Sequence, residues 1–187
     1  MGLKITKEVL RGVKFLSPEL ITDDRGTFCE TYKKDEFREI GINEEFVQEN
    51  QSSSKIGVIR GLHFQFNPPL GKLIRVLNGL AYLVFVDIRK ESSSLGKWHG
   101  ENLSEEYGGQ VWAPAGFACG FCALENNTEV LYKYNAFYNR EGESNIRWDD
   151  PEIGIDWPNR YAILSDRDKN AQTLAEWLVT EESNYFR

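Results

Sequence analysis

Apolar residues are concentrated in the middle of the chain, in short runs separated by clusters of glycine, proline, asparagine and serine. Short runs rich in valine, isoleucine, leucine, tyrosine and phenylalanine are typical of β-strands. Several such strands with turn signals between them indicate an all-β domain, built as a sandwich, a jelly roll or a barrel. The predicted strands cover residues 57–66, 73–77, 80–88, 109–113, 116–124 and 128–137.

Asn78 and Gly79 separate two of these runs, residues 73–77 and 80–88. Both residue types tolerate positive φ, which the tight turns of β-hairpins require. The pair therefore predicts a hairpin that joins the two strands.

The two ends of the chain have weaker patterns. Residues 35–40 and 171–179 are the only candidates for short helices. Apolar and polar positions alternate around Val13 and Phe15 and again over residues 27–32, which predicts a strand added to the core sheet or to a partner subunit.

Size and composition favour one domain over residues 1–187, because this length is ample for one core and marginal for two. Hydrophobic residues make up 41% of the chain, and no apolar run approaches the roughly 20 residues that span a bilayer. We expect no membrane association. The N-terminus lacks the apolar core of a signal peptide, and three cysteines cannot pair completely, so we expect a cytoplasmic protein.

The net charge of −7 argues against nucleic-acid binding, which requires a basic surface. A small phosphorylated ligand remains possible if a few cations converge. Arg60, Lys72 and Arg75 lie close in sequence to His63, one of only two histidines. An imidazole beside fixed positive charge suits proton abstraction from an anionic carbon acid. The alternative is a buried, satisfied histidine next to a solvated basic loop, and both interpretations remain open.

Metal binding is not expected. Cys119 and Cys122 form a C-x-x-C pair, but they lie in a predicted strand, where residues three apart face opposite sides. No further cysteine pair or nearby histidine completes a ligand set. Gln65 follows His63 by two positions, and His99 lies in a segment that we interpret as a polar turn.

Two further side chains are candidates for chemistry. Lys72 follows a glycine and opens a strand, where a cation could meet an oxyanion; a lysine at a sheet edge is the alternative. Tyr132 shares a strand face with Val130 and Tyr134, and a phenol can donate a proton, although alternating aromatic residues more often pack a core.

Acidic residues near the C-terminus favour structural roles. Asp149, Asp150 and Asp156 surround prolines in a sequence typical of turns. Asp166 and Asp168 precede the predicted C-terminal helix and could cap it.

Taken in order, nine motifs are familiar: DDRGTFCETY, FVQENQSSS, GVIRGLHFQ, GKLIRV, GLAYLVFVDIR, WAPAGFACGF, EVLYKYNAFY, IRWDDPEIGIDWP and ILSDRD. Across roughly residues 12–168 the chain resembles the dTDP-4-dehydrorhamnose 3,5-epimerase family. The resemblance implies a cupin-type β-jelly roll that acts as a homodimer without a metal or cofactor. Its expected substrate is a dTDP-linked 4-keto-6-deoxysugar, inverted at C3 and C5.

The resemblance also implies catalytic roles. His63 would remove the protons flanking the C4 ketone, and Asp168 would orient the imidazole and tune its charge. Lys72 would stabilise the enolate oxygen. Tyr132 would return a proton on the opposite face.

Further positions match the family's substrate contacts, and some of them could come from a partner subunit through an exchanged N-terminal strand. Tyr138 would lie near the thymine or the sugar. The matched nucleotide and diphosphate contacts are Arg25, Phe28, Glu30, Gln48, Asn50 and Arg60.

Two departures from the family pattern leave alternatives open. Cys119 stands where the family usually has a substrate-site histidine, and Gln51 replaces the histidine of an Asn-His-Ser motif. A thiol cannot be a cation near neutral pH. An epimerase that inverts C3 alone or takes another nucleotide sugar is one alternative, and a non-catalytic jelly roll that binds sugar nucleotides is another.

Overall fold

The computed structural model describes residues 2–105, 108–159 and 161–187. These residues form two facing β-sheets and a separate hairpin, with a few short helices. The strands are β1 (Leu3–Val9), β2 (Val13–Pro18), β3 (Leu20–Asp23), β4 (Gly26–Cys29), β5 (Gln48–Ser54), β6 (Ile59–Gln65), β7 (Lys72–Asn78), β8 (Leu80–Asp87), β9 (Trp98–Ser104), β10 (Gln110–Ala113), β11 (Phe117–Ala123), β12 (Thr128–Tyr134) and β13 (Glu143–Asn145).

Every pair of neighbouring strands in these sheets is antiparallel. The six-stranded sheet has the order β1-β2-β10-β7-β12-β5, and the five-stranded sheet has the order β13-β6-β11-β8-β9. β3 and β4 pair only with each other. The prediction of an all-β domain with short helices is confirmed.

The predicted hairpin at Asn78-Gly79 is wrong. β7 belongs to the six-stranded sheet and β8 to the five-stranded sheet, so the two strands are not paired. Gly79 has a φ of +76°, as the turn signal requires, but the turn carries the chain from one sheet to the other. The Asn-Gly pair correctly predicted that the chain turns here, but it did not predict which strands pair with β7 and β8.

Four strands were not predicted. β5 is an edge strand of sequence QENQSSS, and its residues are mostly exposed. β9 contains His99, which we expected in a turn. β1 and β13 are an edge strand and a three-residue strand.

The main core lies between the two sheets. Phe117, Cys119 and Phe121 of β11 point into this core, together with apolar residues of the six-stranded sheet. Cys122 faces the opposite side, where the C-terminal segment covers the five-stranded sheet with Trp177 and other aromatic residues. The prediction that the two cysteines face opposite sides is confirmed.

The helices are short. α1 (Lys34–Glu39) corresponds to the predicted residues 35–40. α2 (Asp166–Lys169) precedes α3 (Leu174–Leu178), which is shorter than predicted because Thr173 and Glu176 form a capping box at its start. A 3₁₀ turn covers Glu182–Tyr185. In the described ranges no helix has the length and apolarity needed to cross a membrane.

A buried carboxylate fixes the end of β8. Asp87 is fully buried and accepts hydrogen bonds from the Arg89 guanidinium at 2.7 and 2.9 Å and from the hydroxyls of Ser92 and Ser94. Arg89 also donates to the Leu10 carbonyl, which ties the N-terminal hairpin to the core. Burial opposes ionisation of Asp87, but these hydrogen bonds outweigh it and lower its pKa.

We expect Asp87→Asn to reduce the free energy of unfolding by about 3–5 kcal/mol, because it leaves the partly buried Arg89 without its counter-charge. Since the pKa of Asp87 is lowered on folding, its stabilisation is present above about pH 4 and is lost as the pH falls through the folded-state value. Urea unfolding at several pH values measures both effects.

Asp149→Asn is the matched control, because Asp149 pairs with Arg147 at a half-exposed position. An exposed pair contributes under about 1 kcal/mol, so this variant should unfold almost like the wild type. Equal losses in the two variants would contradict the structural role given to Asp87.

Candidate active site

A cavity of about 210 Å³ lies between the two sheets. Its walls come from six strands of the sandwich interior, β5, β7 and β12 on one side and β6, β8 and β11 on the other. The polar and titratable side chains that line it are Asn50, Gln51, Ser52, Arg60, His63, Lys72, Cys119, Tyr132 and Tyr134.

His63 projects from β6 into the cavity and pairs with a carboxylate. His63 Nε2 lies 2.6 Å from Asp168 Oδ1, and the Asp168 side chain is only 4% exposed. Burial alone would raise the pKa of Asp168, but hydrogen bonds from His63 and Ser165 and the charge of Arg167 hold that pKa below its usual value. The ionised carboxylate therefore accepts a hydrogen bond from Nε2–H, and Nδ1 keeps the free lone pair.

The capping role predicted for Asp166 and Asp168 is wrong. Both residues lie within α2, whose N-cap is Ser165. Ser165 Oγ accepts from the Asp168 amide at 3.1 Å and donates to Asp168 Oδ2 at 2.9 Å. Each carboxylate oxygen of Asp168 thus has one partner, which fixes the orientation of the group toward His63.

Lys72 begins β7, which lies between β10 and β12 in the centre of its sheet. The alternative of a lysine at a sheet edge is therefore wrong. Lys72 Nζ donates to the backbone carbonyl of His63 at 2.8 Å, across the space between the sheets. The preceding residue, Gly71, packs so closely against Trp112 that a Cβ would lie 2.4 Å from the indole.

Tyr132 projects from β12, on the wall opposite His63. Burial raises the pKa of its phenol, as do Tyr134 and Cys119, whereas the neighbouring Ser52 hydroxyl and the charge of Arg60 lower that pKa. Tyr132 also packs against the main core, which confirms the packing interpretation, and its role as a proton donor stays a prediction.

Of the three cations near His63 in sequence, Arg60 and Lys72 line the cavity and Arg75 does not. Arg60 lines the cavity, and its guanidinium donates to Ser54 Oγ at 3.0 Å. Arg75 is not a cavity residue: it pairs with Gln110, one position out of phase with Lys72 and Ile74, which do line the cavity. The expectation that three cations surround His63 is therefore wrong for Arg75.

Gln48, Asn50 and Tyr138 form a connected group at the rim. Gln48 Nε2 donates to Asn50 Oδ1 at 3.2 Å, and Gln48 Oε1 accepts from the Tyr138 amide at 2.9 Å. The Tyr138 side chain is half exposed. The buried Gln65 side-chain amide donates hydrogen bonds to the Pro68 and Phe137 carbonyls. It thereby connects the loop that contains Pro68 with the loop that contains Phe137.

Three predicted contact residues lie away from the cavity. Arg25 and Phe28 belong to the β3–β4 hairpin, where the Arg25 side chain is 89% exposed and Phe28 is 60% exposed. Glu30 follows this hairpin, and its Oε1 lies 3.7 Å from Lys33 Nζ. Within the described part of one chain, none of the three lines the cavity.

Cys119 lies directly across from His63 in the β6–β11 pair. Burial raises the pKa of its thiol to about 11, although the Lys72 ammonium lowers it. The thiol is neutral at physiological pH, so the wall beside His63 carries no second cation at this position. Among the described residues, no group of three or more metal-ligating side chains comes together.

This arrangement can move protons between two faces of a bound molecule. His63 and Tyr132 face each other from different sheets, and Lys72 offers N–H donors between them. Sequence reasoning missed Ser165, which orients Asp168, and Ser52, which faces Tyr132. Ser52 follows Asn50 by two positions, a signal that becomes visible only once β5 is known to be a strand.

Comparisons with known proteins agree with this geometry. A family model described as dTDP-4-dehydrorhamnose 3,5-epimerase matches residues 7–176. The enzyme of that name from Methanothermobacter thermautotrophicus is 45% identical over 176 residues, which cover 92% of this chain and 95% of the relative.

Two solved structures are similar over almost the whole chain. The dTDP-4-dehydrorhamnose 3,5-epimerase of Bacillus anthracis, with TDP and pyrophosphate bound, has a TM-score of 0.90 at 41% identity and covers 92% of this chain and 99% of its own. The dTDP-6-deoxy-D-glucose-3,5-epimerase of Legionella pneumophila, in complex with dTDP-4-keto-L-rhamnose, has a TM-score of 0.91 at 38% identity and covers 97% and 96%.

These similarities confirm the expected fold, a cupin-type β-jelly roll. They also confirm the resemblance carried by the nine sequence motifs. The chain belongs to the dTDP-4-dehydrorhamnose 3,5-epimerase family.

Proposed function

We propose that the protein is an isomerase that inverts C3 and C5 of a dTDP-linked 4-keto-6-deoxyhexose, a reaction of dTDP-L-rhamnose or related deoxysugar biosynthesis. The observation that carries this proposal is the opposition of His63 and Tyr132 across one cavity, with Lys72 between the sheets. Inversion at carbon requires removal of a proton from one face and delivery to the other, and this cavity has a candidate group on each.

His63 is the proposed base. The C4 ketone acidifies the neighbouring C3–H and C5–H bonds, so that one imidazole can serve both carbons in turn. Asp168 accepts a hydrogen bond from the Nε2–H of His63, which leaves the Nδ1 lone pair free to take a proton. When His63 takes the substrate proton, the adjacent carboxylate stabilises the imidazolium that forms.

Lys72 is the proposed electrostatic stabiliser. Proton removal places negative charge on the ketone oxygen, and an ammonium in a partly buried site stabilises that oxygen strongly. Lys72 has three N–H donors and uses one on the His63 carbonyl. The others remain for the enolate. Tyr132 then delivers its proton to the carbon from the opposite wall.

Arg60, Gln48, Asn50 and Tyr138 are the proposed contacts of the diphosphate and the nucleoside. Hydrogen bonds connect Gln48 with Asn50 and Tyr138, and Asn50 lines the same cavity as Arg60, which suits a long substrate whose sugar enters first. Cys119 is a proposed neutral contact beside the sugar. No cofactor is needed for proton transfer next to a ketone.

We further propose that residues 1–187 form one domain that acts as a homodimer, with Arg25, Phe28 and Glu30 completing the partner's nucleotide site. The β3–β4 hairpin supports this idea, because it joins neither large sheet and exposes an arginine and a phenylalanine. All three cysteines are unpaired, which supports a cytoplasmic location.

Incubation of the protein with dTDP-4-keto-6-deoxyglucose in D₂O should introduce deuterium at both C3 and C5, read by NMR and mass spectrometry. Deuterium at C3 alone would replace the proposal with single epimerisation, and exchange at neither carbon would contradict both. His63→Ala should abolish exchange and still bind dTDP. The other histidine supplies the control, since His99→Ala should exchange normally.

Asp168→Asn should lower kcat by about 10²–10⁴-fold, because an amide at this position cannot stabilise the imidazolium. Asp166→Asn is matched in chemistry and lies two residues away, with a side chain that is 94% exposed. Steady-state kinetics should show no change for Asp166→Asn. Comparable losses in both variants would point to a general effect on α2 and exclude the proposed role of Asp168.

Mixing a binding-impaired variant with an inactive one tests the exchange of the hairpin. A variant with Arg25→Ala and Phe28→Ala should have a raised KM, and His63→Ala should be inactive. After refolding the two together, random assortment should restore about a quarter of the sites, because about half of the dimers are heterodimers and each of these has one site with an intact base and an intact hairpin. No gain over the separate variants would mean that each subunit uses its own hairpin.

A further inference from the structure

Ser52 lies beside Tyr132 on the same wall of the cavity. In the β5–β12 pair, Asn50 is opposite Tyr132 and Ser52 is opposite Val130, so Ser52 and Tyr132 are diagonal neighbours that share a face. Diagonal neighbours of an antiparallel pair are within reach when one of them is aromatic. Both residues line the cavity.

The Ser52 hydroxyl is otherwise unengaged. Ser52 Oγ is buried and has no hydrogen bond of ordinary geometry among the described residues. It nevertheless acts on the Tyr132 phenol as a hydrogen-bonding neighbour and lowers its pKa. Since the two residues are diagonal neighbours on one cavity wall, rotation about the serine side chain can bring its free hydroxyl to the phenol. Ser54, two residues further along β5, already has a partner, because its hydroxyl oxygen accepts a hydrogen bond from Arg60.

We propose that Ser52 is a positioning residue that donates a hydrogen bond to the Tyr132 oxygen as the phenol gives up its proton. This inference rests on the proposed function, in which Tyr132 protonates the enolate. In that step the phenol O–H bond breaks and the electron pair of the enolate forms the new C–H bond. The charge moves from the enolate to the phenolate, which later regains a proton from water.

The surroundings of Tyr132 explain why such a donor is needed. A buried phenol that ionises costs free energy unless the phenolate is hydrogen-bonded. The groups that act on it are Arg60, whose charge favours the phenolate, and Tyr134 and Cys119, which oppose it. Arg60 is shared with Ser54 and with the proposed diphosphate, so Ser52 is the hydroxyl left for Tyr132 alone.

One test measures the ionisation of position 132 without substrate. Tyr132 is replaced by 3,5-difluorotyrosine, whose phenol ionises near neutral pH, and its pKa is followed by absorbance or ¹⁹F NMR. Ser52→Ala should raise that pKa by about one unit, because a hydrogen bond to a charged oxygen is lost. Ser52→Thr keeps the hydroxyl and should restore the original value.

Ser53→Ala is the matched control. Ser53 pairs with Glu129 on the opposite face of β5 and is exposed, so its hydroxyl does not point at Tyr132. This variant should leave the pKa at position 132 unchanged. Equal pKa values in Ser52→Ala and Ser53→Ala would overturn the inference. This result does not depend on whether the protein is an epimerase.

A second test uses the reaction in D₂O. Once His63 has removed a proton, the carbanion either returns to its original configuration with deuterium or is inverted by Tyr132. Ser52→Ala should raise the ratio of deuterated, uninverted sugar to inverted product severalfold, up to about tenfold, while exchange itself continues. A serine that only supports folding would lower both processes together, and an unchanged ratio would overturn the inference.

The two tests separate the inference from the proposed function. If the wild type neither exchanges nor inverts the sugar, the proposed function fails, and the pKa at position 132 still decides whether Ser52 acts on the phenol. If the wild type inverts the sugar and Ser52→Ala inverts it with the same ratio, the inference fails alone. Thermal unfolding followed by circular dichroism verifies that each variant is folded.

Discussion

The site depends on one constraint, the face-to-face packing of two different sheets around a shared cavity. His63 belongs to the five-stranded sheet, and Lys72 and Tyr132 belong to the six-stranded sheet. Neither sheet alone holds a base and an acid on opposite sides of a bound molecule. Because backbone hydrogen bonds fix each strand in its sheet, the relative position of the three groups is set by packing of the core and requires no mobile segment.

Much of this arrangement was predictable from the chain, and the failures have physical reasons. The apolar strands β6, β7, β8, β11 and β12 were visible as runs of hydrophobic residues. β5 was not visible, because an edge strand over a polar rim has no apolar face to reveal its period. Asn78-Gly79 signalled a turn correctly, but a local sequence carries no information on which sheet receives the next strand.

The site residues show the same limit. His63, Lys72 and Tyr132 were found from chemistry and motif, and the structure brings them to one cavity. Asp168 lies 105 residues from His63, so only the resemblance to a family connected the two. Arg75 lies as near to Lys72 in sequence as any residue of the cluster, yet strand alternation turns it away. Closeness in sequence therefore does not predict which side chains share a cavity, because successive residues of a strand face opposite sides of the sheet.

The hydrogen bond from Lys72 to the His63 carbonyl has a consequence for how the molecule tolerates thermal motion. It is a cross-link between the two sheets, made by one candidate reactive side chain to the backbone of another. Any sliding of one sheet over the other must break this bond before it can separate the ammonium from the imidazole. Relative motion of the two sheets and loss of the site geometry are therefore coupled through this one hydrogen bond.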